Sequence, residues 1–317
     1  DAIGGIPLIA SVVGSSSRRQ DGVGSWTSDS SISSASEASN LPARHSSLAC
    51  CVRSYVSFPC ASQMGSPEDL AHESISQYSA RSAAMGFNRL VDAHHDAKNP
   101  RTQMREIPAG KLSVGEAAVS VVIAAVVFFV CAALLNRLCL YLAPFALGWI
   151  LFYSYTKRFT RYAHLVLGVA LAIAPVGAYL AIAGEWSRPA GALLVLAGGV
   201  LCWVAGFDIL YSLQDIDFDR GEGLHSIPAA LGARGALAFS RVLHFLSAAQ
   251  FIALGALLPE LGPAYFVGAG IIAGMLAYEQ SLVKADDLSK IDAAFFTLNG
   301  IISVVFFLIV LGERLLA

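Results

Sequence analysis

Long apolar segments separated by short polar ones dominate the chain from residue 114 onward. A transmembrane helix needs about 20 mostly apolar residues. Seven segments are this long, at 114–135, 138–156, 163–184, 190–212, 236–258, 262–282 and 293–311. The short alternating segments of an outer-membrane barrel do not occur there. The pattern therefore predicts an all-α fold, a multi-span transmembrane helical bundle.

Residues 1–80 have a different character, with 21 serines. Their one apolar run, IGGIPLIASVVG, is too short to span a membrane, and no basic region precedes it as in a signal peptide. Two interpretations stay open: a disordered Ser-rich segment, or an upstream sequence read in the wrong frame. We therefore divide the chain into residues 1–80 and a membrane domain at 81–317.

Composition agrees with a membrane protein. The chain has 56% hydrophobic and 14% charged residues, whereas soluble domains have about 25% charged residues. With a net charge of -2 and no basic run, the sequence does not indicate a nucleic-acid partner. The six cysteines form no CxxC pair and no metal-ligand spacing, so those in apolar segments are interpreted as core residues.

Basic residues predict the orientation of the spans. One set of alternate loops carries twelve Lys and Arg residues, whereas the other set, with the C-terminal tail, carries only Arg137, Arg188 and Arg314. By the positive-inside rule the first set is cytoplasmic. We expect a multi-pass membrane protein, surrounded by lipid, with its polar clusters facing the cytoplasm.

Two acidic clusters lie on this cytoplasmic side. In the run NRLVDAHHDAKNPRT, the side chains of Asn88, Asp92 and Asp96 share one helical face because they are four residues apart. The second cluster ends an apolar segment. If that helix continues, about 100° per residue aligns its polar side chains in one stripe, with Asp217 on the opposite face. The members of this stripe are Asp208, Tyr211, Asp215 and Asp219.

Facing carboxylates repel each other unless a cation lies between them. Mg²⁺ prefers oxygen ligands and leaves positions open for substrate phosphates. We therefore expect all six Asn and Asp residues of the two clusters to hold Mg²⁺ and a diphosphate. Arg101, Arg105, Lys157 and Arg158 are candidates to bind phosphate on the same side. Such a pocket beside an apolar interior suits ionisation of an allylic diphosphate.

The histidines carry less information. Adjacent His94 and His95 point to different helix faces, so we interpret them as polar residues rather than metal ligands. His164, His225 and His244 are interpreted as ordinary hydrogen-bonded residues.

From residue 80 to 317 the chain resembles the UbiA superfamily of intramembrane aromatic prenyltransferases. The Asn–Asp–Asp cluster is similar to the family's first motif, and Asp208, Tyr211, Asp215 and Asp219, followed by SIPAALG, are similar to its second. YSYTKR at 153–158 and YEQSLVKADDLSKIDAAFFTLNG at 278–300 also resemble family segments. Many members have Asp after the first Asn; this chain has Arg89, which is common in the 4-hydroxybenzoate polyprenyltransferase-like subgroup.

The resemblance implies nine helices, of which the first and most of the second are not recognisable here. It implies an enzyme that transfers a polyprenyl group from polyprenyl diphosphate to the carbon ortho to the hydroxyl of 4-hydroxybenzoate, in a ubiquinone-type route. Catalysis is assigned to Asp92, Asp96, Asp215 and Asp219. Substrate binding is assigned to Asn88, Arg101, Tyr153, Lys157, Arg158, Asp208 and Tyr211.

Three alternatives remain. A dihydroxynaphthoate acceptor, in a menaquinone pathway, is not separated from 4-hydroxybenzoate by any residue. A CDP-alcohol-type phosphotransferase would carry its Asp residues in one compact motif, which is not found. An ion-coupled transporter would place its charges near the membrane midplane, whereas these acids lie at helix ends. The sequence indicates no obligate protein partner.

Overall fold

The computed structural model describes residues 67–187, 189–259 and 261–316. Predictions for residues 1–66 lie outside this range. The described chain is helical, and its single β-bridge joins Lys284 and Asp287. The helices are α1 Pro67–Lys98, α2 Val114–Leu135, α3 Arg137–Thr156, α4 Ala163–Ala183, α5 Ala190–Ser212, α6 Ile216–Gly221, α7 Ile227–Leu257, α8 Pro263–Leu282 and α9 Asn299–Leu316. A 3-10 turn, Leu213–Asp215, follows α5, and a π-helix, Ala293–Leu298, precedes α9.

Six of the described helical segments are long and apolar enough to cross a membrane, and they cover α2, α3, α4, α5 with α6, α7, and the π-helix with most of α9. The predicted all-α membrane bundle is therefore confirmed. The seventh predicted segment, 262–282, does form a helix, but it is not among the six. Its hydropathy is reduced by Glu279 and Gln280, whose side chains are buried inside the bundle.

Helix α1 is longer than expected. The resemblance implied that most of this helix is not recognisable, whereas the structure shows 32 helical residues from Pro67. The predicted boundary at residue 80 falls inside this helix, whose first turn carries Glu68 and Asp69 where they favour the helix dipole. α1 ends before Pro100, because proline disfavours helical geometry in the residue that precedes it.

Helix α5 lies in the core, between α4 and α7. It approaches α7 closely, and this approach requires small residues on α5. The hydroxyl of Ser247 donates to the carbonyl of Gly199 at 2.8 Å, and that of Ser240 donates to the carbonyl of Gly206 at 2.7 Å. The ring of His244 packs directly on Gly206. Small residues of this kind let the backbones of membrane helices approach each other.

Several polar side chains inside the bundle are hydrogen-bonded to one another. The indole of Trp203 donates to Asn299 at 2.7 Å, and Asn299 donates to Glu279 at 3.3 Å. Gln280 donates to the hydroxyl of Ser240 at 2.7 Å, and its amide nitrogen lies 3.0 Å from His244 Nδ1. These contacts satisfy groups that would be costly to bury alone. They also confirm His244 as a hydrogen-bonded residue.

Large apolar side chains cover the outside of the bundle. Phe145 on α3 is 77% exposed, Phe245 on α7 is 72% exposed, and Val267 on α8 is 67% exposed. Exposed apolar surface of this extent is unfavourable in water and suits contact with lipid chains. The arrangement agrees with an integral membrane protein.

Candidate active site

A cavity of about 130 Å³ opens at the end of the bundle where α1, α3 and α5 end. Every site residue predicted from the sequence contributes to its wall. These residues are Asn88, Asp92, Asp96, Arg101, Tyr153, Lys157, Arg158, Asp208, Tyr211, Asp215 and Asp219. The structure thus brings together two motifs that lie more than 100 residues apart in the sequence. Their chemical roles stay predictions.

The first motif lies on one face of α1, as the four-residue spacing predicts. The amide of Asn88 donates to Asp92 Oδ2 at 2.9 Å. One turn further, Asp96 is buried, and both of its carboxylate oxygens lie 2.7 Å from Arg105 Nη1. Among the two adjacent histidines, His95 lines the cavity and His94 is exposed.

The prediction that the second motif lies on one continuous helix is wrong. Asp208 belongs to α5, Asp215 ends the 3-10 turn and Asp219 belongs to α6. The break turns the chain so that all three carboxylates still reach the cavity. Asp217 is exposed and does not belong to the cavity wall.

A tight turn closes the second motif behind α6. Gly223 has a positive φ of 69°, a conformation that glycine adopts without steric cost. The chain then returns, with the amide of Leu224 donating to the carbonyl of Asp219 at 2.8 Å. The next amide, of His225, donates to the carbonyl of Lys157 at 2.6 Å and so joins this turn to the end of α3.

Basic side chains pair with four of the motif acids, and a fifth acid, Asp208, lies against a histidine. Arginine provides the two short contacts, and the other two are longer. The nitrogen–oxygen distances are 2.6 Å for Arg101–Asp215, 2.7 Å for Arg105–Asp96, 3.8 Å for Lys157–Asp219 and 3.8 Å for Arg158–Asp92. The cavity thus carries nearly balanced charge, with cations positioned to exchange a carboxylate for a phosphate.

The loop after α1 lines the cavity with Asn99, Arg101, Thr102 and Arg105. Asn99 Oδ1 accepts from the backbone amide of Arg101 at 3.0 Å, and its amide donates to Asp215 at 3.2 Å. Arg101 Nη1 donates to the hydroxyl of Tyr211 at 3.1 Å. Asn99 was not among the site residues predicted from the sequence. Its signal is the position before a proline, where an Asn side chain often organises a turn.

Burial and neighbouring charges shift the pKa values around the cavity. Burial, with a smaller contribution from Asp96, raises the pKa of the Asp92 carboxyl to about 6. Burial opposes the charged form of Lys157, but Asp219 and Asp215 outweigh it and raise the pKa of that ammonium. Lys157 is therefore held as a cation at neutral pH.

The donor set fits a hard divalent cation such as Mg²⁺. Asp219 Oδ2 is buried without a hydrogen bond from the described residues, and Lys157 at 3.8 Å is too distant to supply one. A buried carboxylate oxygen without a hydrogen bond, beside other carboxylates, suits a cation. No three or more His, Cys, Asp or Glu of the described chain are close enough to bind one ion, so diphosphate oxygens would have to complete its coordination.

Asp208 has a contact that the sequence did not indicate. His164 Nδ1, in the first turn of α4, lies 2.7 Å from Asp208 Oδ2, and the histidine is fully buried. The expectation that His164 is hydrogen-bonded is confirmed, but its partner belongs to the second motif. Two helices that are consecutive in the chain meet here, which no periodicity within one helix shows.

An aromatic wall extends from the cavity into the apolar interior. The rings of Tyr211 and Phe295 are stacked at 4.1 Å, and Phe295 contacts Phe207 edge-on at 5.4 Å. Phe207 then contacts Trp203 at 6.0 Å. The π-helix supplies Phe295, and helices of this rare type are frequent at functional sites.

Comparison with solved structures supports this fold. The apo structure of a UbiA homologue from Aeropyrum pernix K1 superposes with a TM-score of 0.73 at 31% identity, covering 85% of this chain and 98% of the other. A UbiA homologue from Archaeoglobus fulgidus bound to DMAPP and Mg²⁺ gives a TM-score of 0.65, covering 86% and 96%. At 18% identity, the second comparison concerns the fold alone.

Bacterial relatives are similar over most of the chain. The protein named 4-hydroxybenzoate octaprenyltransferase from Vibrio cholerae serotype O1 is 31% identical over 204 residues, which are 64% of this chain and 70% of the relative. The protein of the same name from Nitrosospira multiformis is 29% identical over 231 residues, covering 73% and 78%.

The model of the UbiA prenyltransferase family matches residues 63–301. The match therefore begins upstream of the predicted boundary at residue 80. This match covers well over half of the chain and includes both acidic motifs. It confirms the predicted resemblance and the predicted class of enzyme, a prenyltransferase. The chain belongs to the UbiA prenyltransferase family.

Proposed function

We propose that this protein transfers a polyprenyl group from polyprenyl diphosphate to the carbon ortho to the hydroxyl of 4-hydroxybenzoate. The observation that carries the proposal is the convergence of five aspartates and four paired cations on one cavity beside an aromatic wall. The names of the bacterial relatives support the choice of acceptor.

The charged end of the cavity suits the diphosphate of the donor. When bound there with the diphosphate, Mg²⁺ would neutralise charge that develops on the leaving group. Asp92 and Asp96, with Asn88, and Asp215 and Asp219, with Asp208, are the residues that would hold it. Arg101 and Lys157 would bind phosphate oxygens directly, because both carry cationic groups into the cavity.

The apolar end suits the allylic cation. The C1–O bond of the donor breaks, and its electron pair leaves with the diphosphate. Tyr211 lines the cavity with its ring stacked on Phe295, and an aromatic group there favours a nearby cation and excludes water. The ring carbon of the acceptor then forms a bond to C1, and a carboxylate of the site takes the ring proton.

The proposed location is the bacterial inner membrane, with the cavity facing the cytoplasm. The excess of Lys and Arg in the loops around the cavity supports this orientation. A water-soluble aromatic acid would then reach the site from the cytoplasm, whereas the polyprenyl chain would arrive through surrounding lipid.

Prenyl transfer in membranes that contain the full chain tests the proposal. A polyprenyl diphosphate is offered with 4-hydroxybenzoate or with a dihydroxynaphthoate, each with Mg²⁺ and with EDTA. We expect Mg²⁺-dependent product from 4-hydroxybenzoate. If only the naphthoate gives product, the acceptor is a dihydroxynaphthoate instead of 4-hydroxybenzoate. If neither acceptor gives product, the proposal is overturned.

A further inference from the structure

His164 lies behind the cavity rather than in it. Its side chain is fully buried, and it does not belong to the cavity wall. Its Nδ1 lies 2.7 Å from Asp208 Oδ2, and among the described residues no partner lies within hydrogen-bond distance of its Nε2. The polar contact of this ring is therefore directed at a single carboxylate of the second motif.

This contact differs from those of the other motif acids. Asp92, Asp96, Asp215 and Asp219 lie beside Arg or Lys side chains that reach the cavity from loops or helix ends. Asp208 instead lies within hydrogen-bond distance of a ring that is buried between helices and shielded from water. A buried hydrogen bond of this kind holds its acceptor in one orientation.

We infer that His164 is a positioning residue for Asp208. Because the carboxylate accepts, Nδ1 donates the proton of the contact and occupies Oδ2. Oδ1 is then the oxygen left for the cavity. The inference rests on the proposed function and deepens it, since an oriented Asp208 presents one fixed oxygen to a Mg²⁺–diphosphate pair. Residues that orient metal ligands change metal affinity by about 10–100-fold when they are replaced.

Two variants of nearly equal shape distinguish the loss of the hydrogen-bond donor at His164 from the loss of side-chain volume there. In His164→Asn the amide nitrogen takes the position of Nδ1 and can still donate to Asp208. His164→Leu has almost the same shape as the Asn variant and no donor. Purified full-length protein in detergent is titrated with Mg²⁺ in the presence of inorganic diphosphate, and the rise in Tm is followed.

We expect His164→Leu to raise the Mg²⁺ concentration at half-maximal Tm shift about tenfold or more. His164→Asn should stay within about threefold of the wild type. A purely structural role would lower Tm in both variants without moving the Mg²⁺ midpoint, and this result would overturn the inference. So would the absence of any Mg²⁺-dependent shift in the wild type.

The titration does not depend on the aromatic acceptor. If the wild type binds Mg²⁺ with diphosphate and His164→Leu moves the midpoint, the inference stands even when no prenylated product forms. If His164→Leu does not fold, His164→Gln replaces it, because its amide lies near the position of Nε2 and cannot take the place of Nδ1. The same increase in Mg²⁺ midpoint is expected for that variant, and an unchanged midpoint overturns the inference.

Discussion

Arg101 and Asp215 form a forked ion pair across 114 positions of the sequence. Arg101 Nη2 lies 2.6 Å from Asp215 Oδ2, and Nε lies 3.0 Å from Oδ1. The planar guanidinium matches both oxygens of the carboxylate, which gives the contact a defined direction. The same guanidinium lies 5.2 Å above the ring of Tyr211. The loop after α1 is thereby attached to the second motif and to the aromatic wall.

Replacement of Arg101 by Lys should weaken diphosphate binding. Lysine keeps the positive charge but loses the fork that bonds Asp215, and a hydrogen bond to a charged group contributes about 1.5–3 kcal/mol. We expect KM for the polyprenyl diphosphate to rise about tenfold or more, measured in membranes at saturating acceptor. Arg161→Lys is the control, since Arg161 is exposed and lies outside the cavity wall. An unchanged KM in Arg101→Lys would remove Arg101 from the phosphate-binding residues.

Replacement of Asp92 by Ala should abolish prenyl transfer. The carboxylate lies on the cavity face of α1, where it is bonded by Asn88 and would take part in holding Mg²⁺. We expect the initial rate to fall at least about 100-fold. Asp217→Ala is a matched control because Asp217 is an exposed acid on α6, and its rate should equal that of the wild type. Retained product formation in Asp92→Ala would refute the assignment of the metal site.

Much of this site could be predicted from the sequence, because helical periodicity places several of its residues on one face of a helix. The four-residue spacing of Asn88, Asp92 and Asp96 requires only a regular helix to bring them together. The break at 213–215 could not be predicted, since nothing in LQD opposes a continuous helix and the contacts of Asp215 with Asn99 and Arg101 come from a distant loop. Nor was the bond between His164 and Asp208, because it depends on how two apolar helices pack. The start of α1 at Pro67 was obscured by polar composition.

Glu73 should make stability depend on pH. This side chain on α1 is buried beside Gln77, and burial raises the pKa of its carboxyl to about 7, from an ordinary value near 4.5. The folded protein therefore binds a proton more tightly than the unfolded chain. The contribution of Glu73 to the free energy of unfolding is fully present below about pH 4.5 and is lost as pH rises through about 7.

Substitution of Glu73 by Gln removes this dependence, because an amide does not ionise. We expect the variant to melt a few degrees above the wild type at pH 8 and close to it at pH 5, as measured by thermal unfolding in detergent. Glu68→Gln is the control, since Glu68 is an exposed acid in the first turn of the same helix. Equal differences in Tm at the two pH values would contradict the role of Glu73.

The packing of α5 on α7 should be sensitive to one methyl group at Gly206. A Cβ added there would lie 2.2 Å from His244 Cδ2 and 2.4 Å from its Nε2. His244 cannot easily move away, because its Nδ1 lies 3.0 Å from the amide of Gln280. Overpacking of this kind costs about 1–3 kcal/mol, so we expect Gly206→Ala to lower Tm by several degrees.

Gly177→Ala provides the comparison. Gly177 lies within α4, and a Cβ added there has open space around it. Since alanine is the better helix former, Tm should stay equal or rise slightly. If Gly206→Ala were as stable as Gly177→Ala, the close approach of α5 and α7 could not depend on the missing side chain. Because α5 also carries Asp208 and Tyr211, the activity of Gly206→Ala, measured below its Tm, then shows whether this packing positions the second motif.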